Sequence, residues 1–255
     1  MRNNYRTIVL VFLLLTFLVV NNGFCQECES VVFQKVDELL TQGENQQAWQ
    51  LLLELPEEGP DTTQRLWRMA RTQYEMGRLL SEQDGLSFFK NAEKYARAAI
   101  ATDQNNAESY KWLAIALGAQ SKHYDSETQI RQSWEIKESI DKAITLDPED
   151  DISFLVLSRW HYKISALGWF SRTFAKMIYG ELPKASLDKA ESLLWQAIKL
   201  HDRIAHRYNL AKVYKRMDRQ QDATAQLEQA LTLPVTFPEE AEELGKAQRK
   251  LEEWQ

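Results

Sequence analysis

The stretch from Ile152 to Gly180 contains no acidic residue, and within it Arg159, Lys163, Arg172 and Lys176 are interleaved with Phe154, Trp160, Tyr162, Trp169, Phe170, Phe174 and Tyr179. Cations beside an aromatic face can hold a phospholipid headgroup while the rings receive acyl chains, or can rest on a membrane surface. The same residues can equally be a helix that covers a helical core, its aromatics turned inward and its cations outward. Phe170, Phe174, Met177 and Ile178 follow an i, i+4, i+7, i+8 pattern, so an amphipathic helix is predicted over 169–179. Trp160, Tyr162, Trp169, Phe170, Arg172, Phe174 and Lys176 are the candidate lipid-facing set.

Catalytic chemistry has no comparable signal, and no enzyme activity, metal or cofactor is expected. The histidines are His123, His161, His201 and His206. His201 and His206 are five apart, which separates them around a helix instead of stacking them at the i, i+4 spacing of metal ligands. There is no G-x-S-x-G and no phosphate-cradling glycine loop. The carboxylates fall mostly on solvated helix faces, such as Glu239, Glu240, Glu242 and Glu243.

The first 25 residues read as a leader separate from the fold. Arg2 and Arg6 precede the apolar run 8–20, and Gly23 and Cys25 supply small residues at −3 and −1 of a cleavage site. A helix over that run would span about 20 Å, short of the ~30 Å of a hydrocarbon core. Export with signal cleavage, to a periplasmic or extracellular site, is therefore expected. The alternative is an uncleaved anchor through residues 7–20 that leaves the rest in the cytoplasm. Cleavage would leave Cys28 alone, and one cysteine cannot staple a domain internally. It would also remove two arginines and no acid, taking the net charge from −6 to −8. That acidity argues against nucleic acid as a partner.

The elements that must position these residues are helices throughout. In 255 residues there are nine glycines and six prolines, 44% of residues are hydrophobic, and no alternating run long enough for a sheet occurs. A small residue, an aliphatic and an acidic turn recur in 98–114 and 142–158, and 227–236 repeats most of that phrase. Each closes one helix, and the first two open another. Self-similarity of this kind predicts an all-α, right-handed α-solenoid of antiparallel helix pairs. The expected organisation is a helix pair over 26–61, four repeats over 62–237 and a capping helix over 238–255. The abundant charge of that last helix suits a face with no further neighbour.

The spacing resembles the tetratricopeptide repeat. Leu210, Ala211, Tyr214, Ala223, Leu227 and Ala230 fill its key positions in the last copy, with Pro234 one residue early. Trp67, Ala70 and Tyr74 begin an earlier copy that Ala92, Ala96 and Ala99 complete. The resemblance implies which positions of each first helix line a concave groove: Arg65, Arg68, Lys111, Arg159, Lys163, Lys212, Lys215 and Arg216, opposed only by Glu75 and Glu108. A groove near +6 in an acidic chain would attract an acidic peptide or protein segment.

The order LWRMAR, YKWLAIALG, IKESIDKAITLDPEDD, SRWHYKIS, GWFSRTFAKMIYGELPKAS, YNLAKVYKRM and LTLPVT, from about Thr62 to the C-terminus, is similar to the regulator of microtubule dynamics family. The resemblance implies a helical-repeat protein that associates with microtubules, in some members from a membrane anchor. An exported leader would set that role aside and keep the fold. Three partner classes follow: protein or acidic peptide in the groove, phospholipid or membrane surface at the insertion, and microtubules if the repeats are cytosolic.

Overall fold

A computed structural model describes residues 30–57, 59, 61–166 and 185–254, and in them every regular element is helical. The helices are α1 (residues 30–42), α2 (Asn45–Glu54), α3 (Thr62–Arg78), α4 (Glu82–Thr102), α5 (Ala107–Gln120) and α6 (Ser126–Leu146). They continue as α7 (Asp151–Ser165), α8 (Leu187–Leu200), α9 (Ile204–Arg216), α10 (Gln220–Thr232) and α11 (Pro238–Trp254). Consecutive helices pack on one another along the chain, as an all-α solenoid requires. The leader and residues 169–179 lie outside the described residues.

The repeated acidic phrase is a helix terminator and a helix starter in one. Asp103 and Asp147 sit in extended conformation at the ends of α4 and α6. Each carboxylate accepts from the backbone N–H two residues on, at 2.8 Å for Asn105 and 3.0 Å for Glu149. Three residues later Asn106 and Asp150 become N-caps, accepting from Ser109 and Ser153 backbone N–H at 2.9 and 3.0 Å. Ser81, Asp125 and Ser186 cap α4, α6 and α8 in the same way.

Alanine sets how closely the helices approach. Ala70, Ala96, Ala99, Ala114 and Ala143 are buried in one core cluster with Trp67, Trp112, Leu117, Ile140, Leu157 and Trp160. Ala190, Ala205 and Ala223 recur in the next cluster beside Leu194, Leu210 and Tyr214. The tightest crossing is between α3 and α4, where a Cβ on Gly85 would lie 2.5 Å from the Gly77 carbonyl oxygen. The α1–α2 turn needs Gly43, whose φ is +79°.

No described helix is long and apolar enough to cross a membrane.

Candidate concave binding face

The eight cations expected to line one groove divide into two groups. Three are committed to holding helices together. Arg65 is 8% exposed and its Nε donates to the Leu52 carbonyl at 2.8 Å, pinning α3 to α2. Arg68 grips both oxygens of Asp37 at 2.7–3.2 Å and stacks on Phe33 and Trp67, which fastens α1. Lys111 is buried between Glu108 at 2.6 Å and Asp150 at 3.1 Å, and the two carboxylates hold its ammonium above the usual lysine range against the penalty of burial. A buried cation tied into its neighbours in this way is poorly placed to meet a ligand from solvent. Arg65, Arg68 and Lys111 thus join helices to one another, a role that repeat register did not suggest.

The remaining five gather on α7 and α9. Lys212 lies over the rings of Tyr162 and Tyr208 at 5.1 and 5.5 Å, and Arg216 covers the other approach to Tyr162 at 4.8 Å. Arg216 also donates to the Tyr162 carbonyl at 3.3 Å. Lys215 turns aside to Gln220 and the Trp254 ring. Arg159 donates to Asn209 Oδ1 at 3.3 Å and to Glu243 Oε1 at 2.9 Å. Among the described residues, no carboxylate comes within ion-pair distance of Lys163 or Lys212.

The electrostatics record that imbalance. Burial, then Arg159 and Lys163, pulls the Lys212 ammonium down to about 8, with Glu243 the one opposing acid. Burial, then Arg159 and Lys122, lowers Lys163 as well. Two lysines and an arginine thus lie near one another on α7 and α9, and their mutual repulsion adds to burial in lowering both lysines. Facing them on α3, Tyr74 is pushed up to about 12, by burial first and then by Glu75.

Sequence reasoning missed the acids of α11 that reach cations of α3 and α7. Glu243 pairs with Arg159, and Glu239 lies 3.5 Å from Arg78 at the end of α3. The capping helix therefore turns part of its charge inward, where a solvated face was expected. No local pattern could have revealed ion pairs that join residues 84 and 161 positions apart.

Of the aromatic-basic set, Trp160 is 4% exposed in the core and donates from Nε1 to the Ser133 carbonyl at 2.7 Å. That burial removes it from any lipid-facing surface, a correction with a simple cause: α7 needs a large apolar side chain against α6. Tyr162 lies under Lys212 and Arg216 of α9. Trp169, Phe170, Arg172, Phe174 and Lys176 lie outside the described residues. Asp151 gathers His201, Arg203 and His206 at 3.1, 2.5 and 3.3 Å, which ties the start of α7 to the start of α9. No group of metal-ligating side chains occurs among the described residues.

Comparison with known proteins places the chain. The family model described as "Regulator of microtubule dynamics protein 1-3" matches residues 32–255. Regulator of microtubule dynamics protein 3 of Xenopus laevis is 34% identical over 218 residues, which is 84% of this chain and 47% of that protein. Regulator of microtubule dynamics protein 1 of Caenorhabditis elegans is 29% identical over 187 residues, 73% of this chain and 83% of that protein. The chain spans about half the length of the Xenopus laevis, Pongo abelii and Bos taurus relatives, at 47%, 53% and 47%. In fold it is similar to a thermophilic tetratricopeptide-repeat protein of Thermus thermophilus, with a TM-score of 0.64, 21% identity, and 89% and 98% of the two chains covered. Repeat phrase, helix order and a match over nearly all of the folded region agree: the chain belongs to the regulator of microtubule dynamics family.

Proposed function

We propose that this chain is a rigid helical-repeat scaffold that captures an anionic segment of a partner protein on the concave face of α7 and α9. Arg159, Lys163 and Lys212 are the anion-binding set, and Tyr162 and Tyr208 supply apolar contact beside the charge. The observation that carries this reading is that no carboxylate lies within ion-pair distance of Lys163 or Lys212 among the described residues, while both ammonium groups are held below their ordinary range. Uncompensated cations cost stability, and a site that retains them is suited to binding. Preorganised helices keep the entropy cost of binding low. Catalysis forms no part of this reading.

The test is capture of binding partners by the full chain and by K163E/K212E, with K199E on the exposed face of α8 as control. Partners should be lost from the double variant alone and weaken as salt rises. Capture that ignores both lysines defeats the reading.

The family match favours a second, compatible reading: microtubules are the partner, reached by a chain anchored through residues 7–20. Co-sedimentation with microtubules tests this directly. Intact mass of the native protein separates an anchored full-length chain from an exported one that begins at Gln26.

A further inference from the structure

Part of the chain itself already meets Arg159, one member of the proposed anion-binding set. α11 begins at Pro238, which packs against Gly43 in the α1–α2 turn. Its first two turns are held by charge, Glu239 to Arg78 and Glu243 to Arg159. From Leu244 onward it is held by apolar packing instead, with Ala247, Leu251 and Trp254 set against Ile204, Leu227 and Ala230.

The charged half fits imperfectly. Glu243 Oε2 is buried and accepts no hydrogen bond, which leaves half of that carboxylate unsatisfied. Burial holds the Glu243 carboxyl above the usual carboxylate range despite Arg159. Lys163 and Lys212 gain no ion pair from α11. At the junction between the halves stands Gly245, in the middle of the helix. A Cβ there would meet only Arg249 Nη1, at 3.5 Å. Packing does not require this glycine, yet it weakens the helix at the point where the mode of attachment changes.

From this arrangement we propose that residues 238–243 are a built-in, displaceable competitor for the concave face, and that the partner is an acidic amphipathic helix that takes their place. The proposal rests on the anion-binding reading above and names the partner's chemistry. Carboxylates spaced i, i+4 in the partner replace Glu239 and Glu243, and a further acid reaches Lys163 and Lys212. The apolar half of α11 stays docked, and Gly245 is the joint about which the charged half leaves.

The experiment uses the full chain and a fluorescein-labelled peptide of residues 236–246, stapled by a lactam through Glu242 and Lys246, an exposed pair 2.7 Å apart. Fluorescence anisotropy reads its binding, and hydrogen exchange reads the backbone amides of α11. In E239Q/E243Q the peptide should bind at least tenfold tighter than to wild type. Amides 239–245 should exchange at least tenfold faster, with those of 247–254 unchanged. G245A should shift both readings the opposite way. Equal peptide affinity for wild type, E239Q/E243Q and G245A overturns the competition. If R159E still abolishes binding in that case, the anion-binding face survives. Indifference of the peptide to R159E, or no binding even to E239Q/E243Q, overturns both. Faster exchange spread evenly over all of α11 overturns the joint at Gly245.

Discussion

Lys111 Nζ lies 3.1 Å from Asp150 Oδ1, and the same carboxylate caps α7 through its other oxygen. One buried cation thus joins the middle of the solenoid to the start of its next hairpin, with Glu108 as second partner. Lys111→Ala leaves Glu108 and the largely buried Asp150 without their shared cation. Chemical denaturation should show a loss of about 3 kcal/mol. Lys111→Arg, keeping the charge, should lose less.

Stability should fall in mild acid. His161 is buried, and desolvation, with Lys137 and Lys189 behind it, lowers its imidazole to about 4 from an ordinary 6.5. The unfolded chain therefore takes up a proton before the folded one does. Stability is full above pH 6.5 and declines as pH drops toward 4, by up to about 3 kcal/mol for this one group. His206, lowered to about 4 mainly by burial, acts with the same sign. His161→Leu should halve the acid slope in urea titrations at pH 5 and pH 7, without abolishing it.

The α3–α4 crossing should tolerate no methyl group. Gly85→Ala would place a Cβ 2.5 Å from the Gly77 carbonyl oxygen, and backbone cannot give way cheaply. A cost of about 2–3 kcal/mol follows. Gly118→Ala in α5 meets nothing within 4 Å and should stabilise by roughly 0.5–1 kcal/mol through helix propensity. Thermal unfolding of the two variants should move in opposite directions.

Lys212 should trade stability for binding. Its folded-state ammonium is held at about 8 against 10.5 in the unfolded chain, so protonation at neutral pH favours unfolding. Lys212→Met should raise the melting temperature by a few degrees, a gain on the order of 1 kcal/mol after screening. The same variant should lose affinity for an acidic peptide. In the native chain that affinity should fall between pH 7 and 9, as Lys212 loses its proton.

Much of the fold is legible in the sequence because its causes are local. Asp103 with Asn106, and Asp147 with Asp150, write a helix end and a helix start within four residues. The buried alanines fall where the repeat pattern puts them, since helix contact leaves room for nothing larger. The site was legible only in part. Repeat register found Arg159, Lys163, Lys212, Lys215 and Arg216, which do gather on α7 and α9, but it could not distinguish them from Arg65, Arg68 and Lys111. What separates the two groups is the position of counter-ions such as Asp37 and Asp150, 31 and 39 residues away. Trp160 stood in an acid-free aromatic run that reads equally well as core or as membrane face, and only the neighbouring α6 decides between them.

A chain of stacked hairpins has the mechanics of a coil spring, because each unit touches only its neighbours and small rotations add along the axis. The contact between Glu239 and Arg78 joins positions 161 residues apart and works as a clasp on that spring. While it holds, pulling on one end loads the whole loop, and extension is resisted by an ion pair as well as by hairpin stacking. Once it opens together with the Glu243–Arg159 pair and the Pro238 contact at Gly43, the same hairpins can flex and lengthen with every bond inside them intact.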